Sequence, residues 1–255
     1  MSISVPVQRA SFTVLQFASR AAMGAAAAQD VAARMLELLA ERDAINLLFA
    51  AAPSQNEFLS ALAADPRLDW SRVNAFHMDE YIGLAADAPQ GFGNFLRERM
   101  FGRVPFRSVH YINGAAEDPE AECRRYAQLL AAFPLDIVCM GIGENGHVAF
   151  NDPPVADFGD PVRVKIVALD PVCRQQQVND GCFARLEQVP THAFTLTVPA
   201  LAAAAYHYCI VPAATKADAV YRTVCGPIST DCPATMLRRC ADAVLYLDAD
   251  SAARL

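Results

Sequence analysis

The stretch LDIVCMGIGENGHVAFNDPP, residues 135–154, runs from an apolar segment broken only by Asp136 into a glycine-rich loop and on to two consecutive prolines. An apolar run without clean alternation fits a strand covered on both faces, as in a parallel sheet. Gly141, Gly143 and Gly146 satisfy G-x-G-x-x-G directly after that strand. This is half of a dinucleotide fingerprint; the other half is a helix opening at the third glycine, with its N-terminus toward a pyrophosphate. Pro153 and Pro154 arrive before a second helical turn is established, and an interior proline removes a hydrogen bond and clashes with the preceding turn. The loop therefore reads as a tight turn that presents Asn145, His147 and Asp152 at the carboxyl end of a strand.

Working outward, similar runs occur at INLLFA (45–50), VNAFHM (73–78), AFTLTV (193–198), HYCIVP (207–212) and AVLYLD (243–248). Between them, SQNEFLSALAAD (54–65), PEAECRRYAQLLAAF (119–133) and ATKADAVYRTVC (214–225) place apolar residues at helical spacing. This strand-then-helix rhythm predicts an α/β fold: one open, mainly parallel twisted sheet with helices on both faces, Rossmann-like in outline. No linker, repeat or low-complexity run divides the chain, so residues 1–255 are expected to form one domain. Ligands in such sheets bind outside the carboxyl ends of the strands, and functional residues are sought there.

Composition narrows the function classes. With 54% hydrophobic and 19% charged residues the chain reads as globular. Its net charge of −7 argues against a nucleic-acid surface, which needs a concentrated basic patch. The alanine-rich stretch at residues 21–40 is interrupted by Asp30, Arg34 and Glu37, so it predicts a soluble helix and no membrane span. Eight cysteines include no C-x-x-C pair, which favours buried free thiols in a reducing cytoplasm over disulfides or a zinc site.

A second strand end carries acids. AFHMDEYIGL (75–84) closes its apolar run with Asp79, Glu80 and Tyr81. Strand alternation puts His77 and Asp79 on one side and Met78 and Glu80 on the other, so that one acid faces the crevice and one pairs with the scaffold.

In these two segments the sequence resembles the glucosamine-6-phosphate deaminase (isomerase) family, relatives of the 6-phosphogluconolactonases. The family marks MDEY-x-GL and G-x-G-x-[DN]-G-H-x-x-FN-[ED]-P stand here as MDEYIGL (78–84) and GIGENGHVAFNDP (141–153). The likeness runs in order from about residue 44 to residue 248. The lactonase branch instead carries a DER segment and a DGHTAS loop, so MDEY and HVAFN favour the deaminase side.

The resemblance implies conversion of an amino-sugar phosphate to a ketose phosphate with release of ammonia, without metal or organic cofactor. Ring opening needs a group that exchanges protons near neutral pH, which suits His147. Moving a proton between C2 and C1 needs a carboxylate, and Asp79 matches the family's base. Asp152 stands where many members have glutamate and is expected to orient and charge His147, with Asn145 fixing the imidazole tautomer. The resemblance assigns substrate contact to Ser54, Gln55, Glu80, Gly143, Gly146 and Lys216, with Glu80 also suited to pairing or capping. A homo-oligomer is compatible with the relatives.

The phosphate end departs from the family pattern. The usual glycine-containing loop is AAAPSQNEF (50–58), in which Ser54 and Glu57 have capping-box spacing. The family's arginine falls on Asn179, with Arg174 nearby but out of position. Arg163 and Lys165 resemble a basic pair that some members use for an allosteric sugar phosphate, and equally suit a solvent-facing strand edge. Two other functions stay open: a lactonase-like hydrolase using His147 to activate water, and a sugar-phosphate-binding regulator without turnover.

Overall fold

The structure, a computed structural model, describes residues 11–255. In chain order it contains β1 (Ser11–Gln16), α1 (Arg20–Glu41), β2 (Ile45–Phe49), α2 (Asn56–Ala63), β3 (Val73–His77), β4 (Asp79–Tyr81), α3 (Phe92–Leu96) and β5 (Ser108–His110). There follow α4 (Pro119–Ala132), β6 (Ile137–Met140), β7 (Val164–Ala168), α5 (Pro171–Asn179), β8 (His192–Leu196), α6 (Val198–Ala202), β9 (Tyr206–Val211), α7 (Ala217–Cys225) and β10 (Asp242–Leu247). A 7-stranded sheet has the order β1-β10-β9-β6-β2-β3-β5, and every pairing in it is parallel.

The alternation of each strand divides its side chains between two cores. Leu47, Phe49, Ala75, Cys139 and Ile210 pack on the side of α1 and α2, whereas Leu48, Phe76, Val138, Met140 and Cys209 pack on the side of α4 and α7. This explains why the strands read as unbroken apolar runs: both faces are covered, and each face needs its own hydrocarbon. The alanine-rich segment forms α1, whose Met23, Ala27, Ala28, Val31 and Met35 are buried against the sheet and α2. No helix among the described residues is long and apolar enough to cross a membrane.

One expected strand belongs elsewhere. AFTLTV does not join the parallel sheet; β8 is the centre of a second, 3-stranded sheet, pairing antiparallel with β4 and β7. Its sequence holds the reason: Phe194 and Leu196 face one core while Thr195 between them accepts from the Phe150 N–H, the two-sided pattern of an antiparallel strand.

The same small sheet overturns the alternation inferred through Asp79. The chain leaves the large sheet at His77 and enters the small one at Asp79, so Met78 is a crossing point and not a strand interior. His77 is fully buried away from the crevice. Its Nε2 accepts from the Ile112 N–H at 2.9 Å and its Nδ1 donates to the Asp79 carbonyl at 2.9 Å. Burial pushes its pKa down to about 4, leaving a neutral ring that ties three segments together.

Of the basic pair, Lys165 lies on β7 and Arg163 just before it. Lys165 Nζ donates to the Val155 carbonyl and to Asp160 Oδ2, at 2.7 and 2.8 Å. It closes the 155–165 loop, and Arg163 stands exposed beside it.

Candidate active site

Strand order reverses between β6 and β2, since the chain builds outward through β3 and β5 on one side and through β9 and β10 on the other. Loops leaving two adjacent strands in opposite directions open a crevice there. The cleft at this place is lined by residues following β2 (Ser54, Gln55), β3 (Met78, Asp79), β6 (Gly141, Gly143, His147) and β9 (Ala213, Lys216), with about 800 Å³ of free space counting its open mouth.

The glycine loop holds its histidine from below. His147 Nδ1 lies 2.8 Å from Asn145 Oδ1 and 3.1 Å from Asp152 Oδ1. Two acceptor oxygens on that side place the proton on Nδ1 and leave Nε2 as the nitrogen available to a ligand. Asn145 is itself locked: its Nδ2 donates to Asp152 Oδ1 at 2.9 Å, and its Oδ1 also accepts from the His147 N–H at 3.0 Å. Burial by itself would raise the Asp152 carboxyl. The hydrogen bond and charge of His147, the Asn145 amide and the Asp170 N–H outweigh it and hold that carboxyl below the usual carboxylate range.

Two glycines make this packing possible. A Cβ on Gly143 would fall 2.1 Å from His147 Cε1, because the imidazole lies directly against the residue 143 backbone. Gly146 has φ +90°, and a Cβ there would meet Cys232 Sγ at 2.6 Å. Its carbonyl accepts from the Ala234 N–H at 2.9 Å. Gly146 therefore shapes the loop from behind and does not line the cleft, a correction to its expected contact role. Asn145 and Asp152 contact His147 and are likewise not among the residues lining the cleft.

The paired acids take different roles. Asp79 lines the cleft and is only 6% exposed. Burial, with the charge of neighbouring Glu80 in second place, drives its carboxyl pKa well above the ordinary range. Glu80 faces the other way: Oε1 accepts from the Tyr81 and Phe92 N–H groups and Oε2 from the Gly93 N–H, at 2.8–2.9 Å. It caps the start of α3 and lies outside the cleft, so its expected substrate contact is replaced by the scaffold role. Burial raises its carboxyl as well, with the three N–H donors opposing.

Also in the cleft wall, Gln55 is 1% exposed and its Nε2 donates to the Ile210 carbonyl at 3.0 Å and to Ser54 Oγ at 3.1 Å. Lys216 is 5% exposed, and its Nζ has no hydrogen-bond partner among the described residues. Burial lowers its pKa, partly offset by the carboxylates of Asp180 and Glu144. The loop that carries Lys216 is strained at Ala213, with φ 83°, and is held by Asp248, whose carboxylate accepts the Ala213 N–H at 3.1 Å.

Sequence reasoning missed several wall residues. Arg20 comes from the first turn of α1, and Gln176, Gln177 and Asp180 come from α5 and its end. Arg174 and Asn179, weighed above for an anion contact, are not in the wall: Arg174 donates to the Leu186 and Val189 carbonyls, and Asn179 accepts from Gln175. The amide-rich run QQQ was the available signal for α5. Arg20 had none, being a lone arginine outside any motif.

Ligand atoms of His147, Asp152 and Cys173 lie within 4.8 Å of one another. Nδ1 of His147 already faces two acceptors, and burial with Asp152 and Asp79 nearby drives the Cys173 thiol pKa far upward. A neutral thiol and a protonated nitrogen suit hydrogen bonding better than coordination. All eight cysteines are free, and most are buried.

What this arrangement can do is move protons: one carboxyl with a raised pKa and one oriented imidazole share a cleft that is also lined by the cationic side chains of Arg20 and Lys216. Comparisons with known proteins agree with that chemistry. Residues 18–164 match the family described as glucosamine-6-phosphate isomerases/6-phosphogluconolactonase. The chain is 34% identical over 211 residues to a glucosamine-6-phosphate deaminase of Listeria monocytogenes serotype 4a (strain HCC23), covering 83% of this chain and 88% of that one. It is 37% identical over 185 residues to a glucosamine-6-phosphate deaminase of Bacillus cereus (strain G9842), covering 72% and 69%. Among solved structures, a monomeric glucosamine-6-phosphate deaminase matches with TM-score 0.87 and 27% identity over 95% of this chain and 100% of that one. The 6-phosphogluconolactonase of Thermotoga maritima shares the fold, with TM-score 0.76 and 20% identity over 93% and 100%.

Proposed function

Because the chain belongs to the glucosamine-6-phosphate isomerase/6-phosphogluconolactonase family, we propose that it deaminates and isomerises an amino-sugar phosphate of the glucosamine 6-phosphate kind. Ammonia and a ketose phosphate are the products. The observation that carries this reading is the shared cleft of Asp79 and His147, one with a carboxyl pKa raised by burial and the other oriented through Nδ1.

The steps follow from those two groups. His147 Nε2 takes the proton of the anomeric hydroxyl and returns one to the ring oxygen as the C1–O5 bond breaks, opening the sugar to its aldehyde. Asp152 stabilises the imidazolium that exists between these transfers. Asp79 then removes the C2 proton; a C1–C2 double bond forms as the C1=O π bond breaks, O1 takes a proton from the substrate's own ammonium group, and Asp79 returns its proton to C1. The electrons on nitrogen leave an iminium at C2; water adds there and ammonia departs, which gives the ketose carbonyl. A carboxyl with a raised pKa is the stronger base once ionised, which suits abstraction from carbon.

The sugar phosphate is the expected partner, bound by Ser54, Gln55 and Lys216. We read residues 1–255 as one catalytic unit of cytoplasmic amino-sugar metabolism. The test is an assay of purified protein on glucosamine 6-phosphate, its epimers and 6-phosphogluconolactone. Equimolar ammonia and ketose phosphate are expected; lactone hydrolysis without ammonia favours the hydrolase, and no turnover of any of them favours a regulator.

A further inference from the structure

Only two cationic side chains line the cleft among the described residues, Lys216 and Arg20, and Arg20 was assigned no role by sequence. Its guanidinium is anchored on two sides. Nε donates to Glu57 Oε1 at 2.7 Å, and Nη2 donates to the Pro53 carbonyl. Nη1 makes no hydrogen bond among the described residues. The anchoring fixes the plane of the fork while leaving that edge free. A flexible surface arginine would lose more rotamer freedom on binding an anion than one already held in place.

Pro53 is also the residue before Ser54, and Arg20 and Ser54 both line the cleft. Ser54 Oγ accepts from Gln55 Nε2 at 3.1 Å, which leaves its proton free to donate. Lys216 stands on a different loop, buried and without a partner for Nζ. A buried ammonium without a hydrogen-bond partner is costly unless a ligand supplies one. Asp180, also in the wall, adds a negative charge. Lys216 alone would leave a dianionic phosphate under-compensated.

We propose that Arg20 is a specificity-determining residue that, with Lys216 and Ser54, clamps the terminal phosphate of the substrate. The assignment rests on the sugar-phosphate reading above. It places the clamp on the first turn of α1, away from α5, where Arg174 is spent on backbone carbonyls. Arg20 touches no reacting carbon in this scheme, so its loss acts on binding and not on the chemical step.

The test compares wild type with Arg20→Gln and Arg20→Lys. In Arg20→Gln, KM for glucosamine 6-phosphate should rise at least tenfold while kcat stays within about threefold. Competitive inhibition by inorganic phosphate should weaken by a similar factor, and Arg20→Lys should fall between. If Arg20→Gln only lowers the thermal midpoint, with KM and the phosphate constant unmoved, Arg20 is a strut between α1 and α2 and the proposal is overturned. Should Arg20→Gln fold poorly, Arg20→Lys keeps the charge and decides alone: an unchanged KM and phosphate constant overturn the clamp. Calorimetric titration with inorganic phosphate needs no turnover. Phosphate binding that depends on Arg20 in a protein that releases no ammonia would therefore sink the deaminase reading while leaving the anion site standing.

Discussion

Asp152 Oδ1 stands 3.1 Å from Nδ1 of His147, so a carboxylate that is only 1% exposed faces the underside of the ring. Asp152→Asn keeps the shape and removes the charge. We expect kcat to fall about 10- to 100-fold, the range for losing a group that orients a proton-transfer residue. The folded-state pKa of Asp152 is depressed, so its stabilising contribution is present above the unfolded-state value and disappears as pH falls through the folded value. Thermal melts should therefore show Asp152→Asn less stable than wild type at pH 7 and the difference shrinking at acid pH.

Asp79 has the opposite sign. Burial raises its folded-state pKa, so folding is penalised once pH exceeds that value, whereas below the unfolded-state pKa the penalty is absent. Asp79→Asn should abolish turnover by about 10³-fold or more and yet raise the thermal midpoint at pH 8 relative to wild type. Each kcal/mol regained corresponds to about 2–4 °C for a chain of this size. A variant equally inactive but less stable at pH 8 than at pH 5, relative to wild type, would count against the desolvated carboxylate.

Gly143→Ala probes the ring position. The added methyl would overlap His147 Cε1, Nδ1 and Nε2, at 2.1, 2.3 and 2.3 Å, so the imidazole must swing away. A displacement of about 1 Å costs on the order of 100-fold in rate. We expect that loss in kcat with an unchanged far-ultraviolet circular dichroism spectrum; full activity would mean that this ring placement is not the working one.

Glu80→Gln separates scaffold from substrate contact. The amide can accept through one oxygen only, so one or more of the Tyr81, Phe92 and Gly93 N–H groups loses its partner. A buried unsatisfied donor costs about 1–3 kcal/mol. Denaturant titration should show that loss, with KM for glucosamine 6-phosphate changed by less than about threefold. A large KM increase without loss of stability would restore Glu80 to the binding set.

The parallel sheet was legible because a strand buried on both faces cannot alternate, and β2, β3, β6, β9 and β10 follow the apolar runs closely. The short edge strand β5 is half-buried and left no such trace. In β8, Phe194 and Leu196 alternate with Thr195, the mark of an antiparallel strand that a run of apolar letters conceals. His77 was misplaced for a related reason: alternation holds only within one sheet, and the chain changes sheets at Met78. The site itself was readable where residues lie close in sequence. Asn145, His147 and Asp152 share one loop, and their contacts follow from that proximity. Arg20 and Gln177 reach the cleft from helices distant in sequence, and only tertiary packing brings them there.

The central claim, that Asp79 and His147 act on one sugar by moving its C2 proton, is tested most directly with glucosamine 6-phosphate deuterated at C2, followed by NMR. The account predicts one ammonia per ketose phosphate, with the label gone from C2 and found at C1 or in solvent. It also predicts that Asp79→Asn stops label loss while His147→Gln impairs ring opening. Release of ammonia with an aldose phosphate that still carries deuterium at C2 would contradict it.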